Sequence, residues 1–233
     1  MVYVPEVLEI VKICVIIPTY NEARAIGGIV KKVRQQSLDV LVVDDGSSDN
    51  TGTVAQAQGA LVLRNDQNQG KGCSLIRGFA FALDNHFDAV ITMDGDGQHC
   101  PEDIPRFIGG ANASASGLFI GNRMLQTANM PLIRVWTNKC MSWMISGIAK
   151  QNIPDTQCGF RLIRREILQG INLACDKYEI ESEIIIKASR LGARVESVPI
   201  KTIYNSEKSR INPFVDTARF IRFIIRELWI TPS

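Results

Sequence analysis

The chain has 233 residues, 45 % of them hydrophobic and 21 % charged, a composition typical of one globular domain. A formal net charge of +2, from 26 basic and 24 acidic residues, argues against a nucleic-acid partner. Six cysteines without a CxxC pair indicate neither a zinc site nor a disulfide framework, as in a reducing compartment. The sequence begins without a signal-peptide pattern and has no run of 18 apolar residues, so we expect a cytoplasmic protein without a membrane span.

Short β-branched runs alternate with helical patterns through the first half of the sequence. Strands are predicted at residues 12–17, 40–44, 60–64, 89–93 and 118–121. Helices are predicted at residues 24–35, 49–58 and 72–85, and another begins over 101–108 with proline in its first turn. Strands separated by helices indicate an α/β fold, in which helices cover both faces of a mostly parallel sheet.

The second half is less regular. Helices are predicted at residues 132–148, 164–169, 180–191 and 214–228, and strands at 160–163 and 195–200. Polar and basic residues make 205–213 a predicted loop. Because the sequence has no repeat, low-complexity tract or linker, we expect a single domain over residues 1–233.

The strongest chemical signal is the turn Asp94-Gly95-Asp96-Gly97-Gln98, directly after a predicted strand. Ligands of open α/β sheets bind at the carboxyl ends of the strands. Two carboxylates two residues apart on a sharp turn can converge on one hard cation, and the glycines permit that turn. Mg²⁺ and Mn²⁺ prefer such oxygen ligands, so this turn predicts a metal site. His99 follows the turn, and a lone histidine beside an acidic turn is expected to be solvated.

A second acidic pair, Asp44-Asp45, ends the second predicted strand. A carboxylate there can accept hydrogen bonds from the N–H of a base or from ribose hydroxyls. Helix capping by Ser48 or Asp49 explains the later residues of this segment but not the acidic pair. We therefore place Asp44 and Asp45 in a ligand site.

Two further segments lie at the predicted ligand edge. The first strand runs into Pro18, which is expected to end ladder pairing, and then into Tyr20 and Glu22, which offer an aromatic face and a carboxylate. Lys71 stands in a glycine-rich turn before a helix, a position that suits donor phosphates, although the spacing of a P-loop is missing. A surface lysine in a turn is the alternative.

In this order, the four segments resemble the family 2 glycosyltransferases with the GT-A fold. The resemblance extends over about residues 11–228, and its later part is similar to the polyprenyl-phosphate (dolichol-phosphate) mannose and glucose synthases. The segments that carry this later part are Gly121-Asn122-Arg123, Asp155-Thr156-Gln157-Cys158-Gly159-Phe160-Arg161, Tyr178-Glu179-Ile180-Glu181-Ser182-Glu183, Val198-Pro199-Ile200 and Ser206-Glu207-Lys208-Ser209. The chain departs from many relatives at Asn205 and Ser206, where they have glycines.

The resemblance implies a single GT-A domain with a Rossmann-like sheet. Its parts are a nucleotide-sugar-binding half (11–123), an acceptor half (124–212) and an amphipathic C-terminal helix (213–233). It also implies an inverting hexosyltransferase that uses Mg²⁺ or Mn²⁺, a GDP-mannose or UDP-glucose type donor and a polyprenyl-phosphate acceptor.

The resemblance also implies roles for individual residues. The implied metal ligands are Asp94, Asp96 and Gln98. The implied nucleotide pocket contains Pro18, Tyr20, Glu22, Asp44 and Asp45, with Asp94 on the donor, and the glycine-rich turn adds Lys71 beside the donor phosphates. The implied catalytic groups are Asp96, Arg123, Asp155 and Lys208, where Arg123 and Lys208 face phosphate.

The choice of acceptor decides whether a base is needed. A phosphate monoester is already ionised at pH 7, whereas a hydroxyl acceptor requires a carboxylate base, for which Asp155 is the candidate. Other functions therefore stay open: a soluble family 2 transferase acting on a sugar or protein hydroxyl, or a degenerate nucleotide-sugar-binding module. A sugar-1-phosphate nucleotidyltransferase is disfavoured, because residues 15–22 lack the glycine-rich signature of that class.

The closing helix suggests how the chain could reach a lipid. At about 100° per residue, one arc contains Phe214, Ala218, Ile221, Ile224, Ile225, Leu228 and Trp229, and Arg219, Arg222 and Arg226 lie beside it. Such a helix either packs on the domain or lies on an anionic membrane. The second possibility predicts peripheral contact at the cytoplasmic face of a membrane.

Overall fold

In the computed structural model, which describes residues 12–125, 127, 130–175, 177–201, 203 and 213–229, seven strands form one sheet. They are β1 (Ile13–Thr19), β2 (Asp39–Asp44), β3 (Leu61–Arg64), β4 (Ala89–Thr92), β5 (Leu118–Asn122), β6 (Arg161–Arg164) and β7 (Val195–Pro199). Their order across the sheet is β3-β2-β1-β4-β6-β5-β7. Consecutive residues Ile13 to Ile17 of β1 are all buried, so both faces of the central strand are covered. The α/β prediction is confirmed.

Eight α-helices accompany these strands in the described part of the chain. They are α1 (Ile26–Arg34), α2 (Thr51–Ala57), α3 (Lys71–Asp84), α4 (Ile104–Ala113), α5 (Leu132–Ala149), α6 (Arg165–Gly170), α7 (Ile180–Arg190) and α8 (Pro213–Trp229). The predicted helix at 101–108 begins as the 3₁₀ turn Pro101–Asp103 and continues as α4 to Ala113.

The sheet is mixed rather than wholly parallel. The strands β3, β2, β1 and β4 run parallel, as do β5 and β7, whereas β6 runs antiparallel between β4 and β5. A strand from the second half of the chain thus separates two strands of the first half. The predicted halves 11–123 and 124–212 therefore contribute to one sheet.

Two local predictions were wrong. Pro18 stays in β1 opposite Val43 of β2, and Thr19 O accepts a hydrogen bond from Asp45 N at 2.8 Å. Pairing with β4 does stop earlier, at Ile16 and Thr92. Proline lacks only its own N–H, so it disturbs one neighbour and leaves the other ladder intact.

The helix predicted to be capped by Ser48 or Asp49 begins at Thr51 instead, after Asn50, and no side-chain cap bond is formed. The Asp49 carboxylate accepts hydrogen bonds from Thr51 N at 3.0 Å and from Ala23 N at 3.2 Å. A short acidic side chain readily bonds such nearby backbone groups, which ties α2 to the loop after β1.

Among its described side chains, the closing helix α8 packs on the domain through a face that overlaps the predicted arc only in part. Phe220, Phe223 and Ile224 are buried, whereas Ile221 and Ile225 are about half exposed, at 51 % and 52 %. The predicted arc grouped Ile224 with Ile221 and Ile225 and left out Phe223. Periodicity alone cannot say which residue lies at the centre of the buried face of a helix. The side chains of Phe214, Ala218, Leu228 and Trp229 lie outside the described residues.

Ion pairs fix the inner side of α8. Glu227 is 1 % exposed and accepts a hydrogen bond from Arg190 of α7 at 2.5 Å. Arg226, which lies beside the predicted arc, is 47 % exposed, and its Nη2 is 3.9 Å from Glu183 Oε1. None of the described helices combines the length and apolar character needed to cross a membrane.

Candidate active site

The turn after β4 holds the acidic pair in a tight backbone. A Cβ on Gly95 would come within 2.5 Å of Thr19 Cγ2, and Gly97 has a φ of +76°, so both positions require glycine. Asp96 Oδ1 accepts a hydrogen bond from Gln98 N at 2.9 Å. The sharp turn predicted from the sequence is therefore present.

A lysine lies between two carboxylates beside this turn. Lys71 Nζ, at the start of α3, is 2.5 Å from Asp94 Oδ1 and 2.6 Å from Glu181 Oε1 of α7. Burial alone would lower the pKa of Lys71, but the two carboxylates raise it above its usual value. Burial opposes ionisation of Asp94 too, yet Lys71 holds the pKa of Asp94 well below its usual range. Lys71 and Asp94 are therefore both charged at pH 7.

Gly159 closes one side of this charged cluster. A Cβ there would lie 2.8 Å from Glu181 Oε1, 2.9 Å from Lys71 Nζ and 3.0 Å from Asp94 Oδ1. The Gly159 carbonyl accepts a hydrogen bond from Thr92 Oγ1 at 2.7 Å, which ties it to β4. Only glycine leaves the three charged groups in contact with one another.

The fully buried Arg161 organises the backbone around Gly159. Its guanidinium donates to the carbonyl oxygens of Cys158 at 2.7 Å, Thr156 at 2.9 Å and Glu181 at 2.5 Å. Arg161 therefore joins the 156–161 segment to the first turn of α7, which carries Glu181.

Arg123 and Asp155 form a two-pronged ion pair beside the cluster. Arg123 Nε lies 2.7 Å from Asp155 Oδ2, and Arg123 Nη2 lies 2.9 Å from Asp155 Oδ1. The backbone N–H of Arg123, Asn138 Nδ2 and the backbone N–H of Gln157 also donate to this carboxylate. Burial would raise the pKa of Asp155, but Arg123 and these donors lower it. Five donors occupy Asp155, which favours an orienting role over that of a base.

His99 is buried, contrary to the expectation of a solvated side chain. Its Nδ1 accepts a hydrogen bond from the N–H of Asp94 at 3.1 Å, which leaves the ring proton on Nε2. Burial lowers the pKa of His99 to about 4, although Asp94 opposes the shift. The ring packs 5.2 Å from that of Phe160. A neutral His99 therefore stabilises the backbone of the acidic turn by accepting the hydrogen bond from the Asp94 N–H.

Asp44 and Asp45 end β2 in different environments. Asp44 is fully buried, and its Oδ1 accepts a hydrogen bond from Ser47 N at 2.9 Å. Its Oδ2 lies 3.4 Å from Arg64 Nη1, and no described residue donates a hydrogen bond to it. Asp45 instead accepts bonds from Asn65 Nδ2 and from the backbone of residues 69 and 70. Asp45 thus fastens the loop that presents Lys71, and a contact of Asp45 with nucleotide stays a prediction.

The structure brings most of the predicted residues to one edge of the sheet. The strands β1, β2, β4 and β5 end beside Tyr20, Asp44, Asp94 and Arg123 respectively, and Tyr20 is 37 % exposed. Glu22 begins the turn into α1, where its carbonyl accepts bonds from the N–H groups of residues 25 and 26. The same edge also holds Pro18, Asp45, Lys71, Asp96, Gln98 and Asp155, whose roles in binding or catalysis stay predictions.

One predicted site residue cannot be placed, and one residue at the site was not predicted. Lys208 lies outside the described residues, so its predicted role is untested. Glu181 was not predicted as a site residue, although its segment was noted for its resemblance. The available signal was the pair Glu181 and Glu183 among the isoleucines of residues 180–186, since a carboxylate buried there needs a partner.

Comparisons with known proteins identify the family. The chain matches the family model "Glycosyl transferase family 2" over residues 14–171. It is 31 % identical to the undecaprenyl-phosphate mannosyltransferase of Micrococcus luteus, over 81 % of this chain and 82 % of that protein. It is 29 % identical to the UDP-N-acetylglucosamine–dolichyl-phosphate N-acetylglucosaminyltransferase of Methanococcus voltae, over 82 % and 86 %.

A solved structure supports the same fold. Glucosyl-3-phosphoglycerate synthase from Mycobacterium tuberculosis, in complex with Mn²⁺, UDP and phosphoglyceric acid, superposes with a TM-score of 0.70 at 22 % sequence identity. The superposition covers 93 % of this chain and 77 % of that protein. With the family match over residues 14–171 and the acidic turn that follows β4, the chain belongs to glycosyl transferase family 2 and is a glycosyltransferase.

Proposed function

We propose that this protein transfers a sugar from a nucleotide-diphosphate donor to a polyprenyl phosphate, with Mg²⁺ or Mn²⁺ as cofactor. The observation that carries the proposal is the similarity, over four-fifths of both chains, to transferases named for undecaprenyl and dolichyl phosphate. The charged groups gathered at the ligand edge of the sheet agree with it.

The acidic turn fits a divalent cation that also binds the donor. No group of three or more His, Cys, Asp or Glu residues suited to a metal occurs among the described residues. Asp94 and Asp96 alone can still hold Mg²⁺ or Mn²⁺ when diphosphate and water supply the other oxygens. Gln98 contributes a backbone N–H to Asp96, and ligation by its side chain stays a prediction. The bound cation would neutralise charge on the departing diphosphate.

The nucleotide would lie over the ends of β1 and β2. Asp44 Oδ2 is buried and lies 3.4 Å from Arg64 Nη1, but it accepts no hydrogen bond from the described residues, so it is a candidate acceptor for a base N–H or a ribose hydroxyl. Tyr20 offers a partly exposed ring for stacking, and Pro18 and Glu22 flank it. Lys71 and Asp94 would face the diphosphate.

The acceptor phosphate would lie against Arg123. Its guanidinium is held in a fixed plane by Asp155, and a preorganised arginine binds phosphate strongly. Because Asp155 is already engaged by five donors, a free base for a hydroxyl acceptor is not provided there. This agrees with an acceptor that carries its own negative charge, and Lys208 is a further candidate for binding it.

The direct test is an assay of nucleotide sugars against several acceptors. We expect labelled sugar to appear on polyprenyl phosphate from a UDP or GDP sugar, and EDTA to abolish the transfer until Mg²⁺ or Mn²⁺ is restored. A simple sugar and 3-phosphoglycerate serve as control acceptors. Transfer to either control with none to polyprenyl phosphate would contradict the proposed acceptor.

Exposed apolar residues on α5 and α8 support a membrane contact as part of this proposal. Trp136 and Trp143 of α5 are 75 % and 77 % exposed, and Ile221 and Ile225 of α8 are half exposed. An open groove of about 710 Å³ is lined by Trp143 of α5 and Ile224 of α8, so the two helices are neighbours. Large exposed apolar side chains suit an interface with lipid. The protein would then act at the cytoplasmic face of a membrane.

We expect the variant with both Trp136→Ser and Trp143→Ser to bind anionic vesicles about tenfold or more weakly than the wild type, because two large side chains no longer enter the lipid. Co-sedimentation with phosphatidylglycerol vesicles measures the loss. Leu61→Ser, which alters an exposed residue of the edge strand β3, is the matched control and should bind normally. Equal binding by all three proteins would remove this surface from the proposal.

A further inference from the structure

The position of Lys71 conflicts with a cation on Asp94. Its ammonium lies 2.5 Å from Oδ1 of Asp94, whose carboxylate would also bind the proposed metal. Two positive charges that share one partly buried carboxylate repel each other. When a metal reaches Asp94, the Lys71 ammonium therefore needs another partner.

Lys71 already has a second partner, Glu181. Its Oε1 is 2.6 Å from Lys71 Nζ, and its side chain is 9 % exposed. The backbone of Glu181 is fixed because its carbonyl accepts a hydrogen bond from the buried Arg161 at 2.5 Å. The backbone that carries Glu181 is thus held by a contact that does not involve Asp94.

From this geometry we propose that Glu181 is a positioning residue, which retains the Lys71 ammonium when a divalent metal takes Asp94. Lys71 then stays at the edge of the site as a second cation for the donor diphosphate. Gly159 allows the arrangement, since a side chain there would come within 3.0 Å of all three charged groups. The inference rests on the metal and donor assignments proposed above, but not on the identity of the acceptor.

Because the Lys71 ammonium and Mn²⁺ compete for Asp94, each substitution should change the Mn²⁺ affinity in a known direction. Removal of the lysine charge in Lys71→Met frees Asp94, so Mn²⁺ should bind more tightly in the absence of nucleotide. Removal of the carboxylate in Glu181→Gln leaves Lys71 with Asp94 alone, so Mn²⁺ should bind about tenfold more weakly, as for coupled neighbouring groups. In the Lys71→Met background, Glu181→Gln should change Mn²⁺ affinity by about twofold or less.

The experiment is a Mn²⁺ titration of the full-length chain, followed through the electron paramagnetic resonance of free Mn²⁺. It is run on the wild type, both single variants and the double variant, first alone and then with UDP or GDP. With nucleotide and metal present, Lys71→Met should lose affinity for the nucleoside diphosphate, because the second cation is gone.

Glu183→Gln is the matched control on the same helix. Glu183 is also buried and paired with a lysine, Lys187 at 2.6 Å, but it accepts hydrogen bonds from the backbone of residues 174 and 175, away from the turn. This variant should leave Mn²⁺ affinity unchanged. Thermal unfolding of each variant identifies any that fails to fold, and in that case the sign of the Lys71→Met effect decides.

Three results would overturn the inference. They are unchanged Mn²⁺ affinity in Glu181→Gln, an equal loss with and without Lys71, and weaker Mn²⁺ binding in Lys71→Met. An equal loss would mean that Glu181 acts on the metal through its charge alone. Failure of Mn²⁺ to bind any variant would remove the metal assignment as well, whereas failure of the polyprenyl-phosphate assay alone would leave this inference standing.

Discussion

Asp96→Asn is expected to lower sugar transfer by about 1,000-fold or more, while the fold is retained. A bound metal stabilises the transition state by several kcal/mol, and each 1.36 kcal/mol is a factor of ten in rate. Asp96 is half-buried on the turn after β4, and asparagine can still accept the hydrogen bond from Gln98 N. The turn should therefore survive, and the charge needed for the cation should not.

The measurement combines turnover of the purified variant with its thermal unfolding temperature and its Mn²⁺ affinity. Asp84→Asn, at the exposed end of α3, is the control for loss of one acidic charge and should keep full activity. Near-normal turnover in Asp96→Asn would remove this residue from the metal site. A parallel fall in unfolding temperature and activity would instead indicate a structural role.

The first half of the fold could be predicted because its parallel strands are buried on both faces. Such strands read as continuous apolar runs, as in β1 and β2, and the polar residues that follow them mark the ligand edge. The antiparallel insertion of β6 between β4 and β5 could not be predicted, because strand order depends on pairing between distant segments. The effect of Pro18 on strand pairing was predicted wrongly for a related reason. Pairing of β1 with β2 continues past Pro18, whereas pairing of β1 with β4 stops before it, and the sequence does not say which strands are the neighbours.

The parts of the candidate site that could be predicted are those formed by residues close together in the sequence. The turn of Asp94 and Asp96 is a local motif, and its tight backbone was foreseen from its glycines. The contact between Lys71 and Glu181 joins residues 110 positions apart, and no local pattern reports it. Burial explains the rest: His99 is enclosed beside Phe160, and Asp155 accepts hydrogen bonds from three segments.

Asp155→Asn is expected to lower transfer to polyprenyl phosphate by about 100-fold through its effect on Arg123. Asparagine offers one oxygen in place of two, so Arg123 loses the fork that fixes its plane. Oriented charge at a reacting phosphate is worth about 10²–10³ in rate. Because Asp155 acts through Arg123, the double variant Asp155→Asn with Arg123→Ala should be no slower than Arg123→Ala alone.

Stability must be measured beside activity, because breaking a buried ion pair costs about 3–5 kcal/mol. Arg190→Lys is the matched control: Arg190 also makes two hydrogen bonds to a buried glutamate, Glu227, but it joins α7 to α8. It should lower the unfolding temperature and leave the KM for polyprenyl phosphate unchanged, whereas Arg123→Lys should raise that KM and lower kcat. Additive losses in the double variant would show that Asp155 acts independently of Arg123, as a base for a hydroxyl acceptor would.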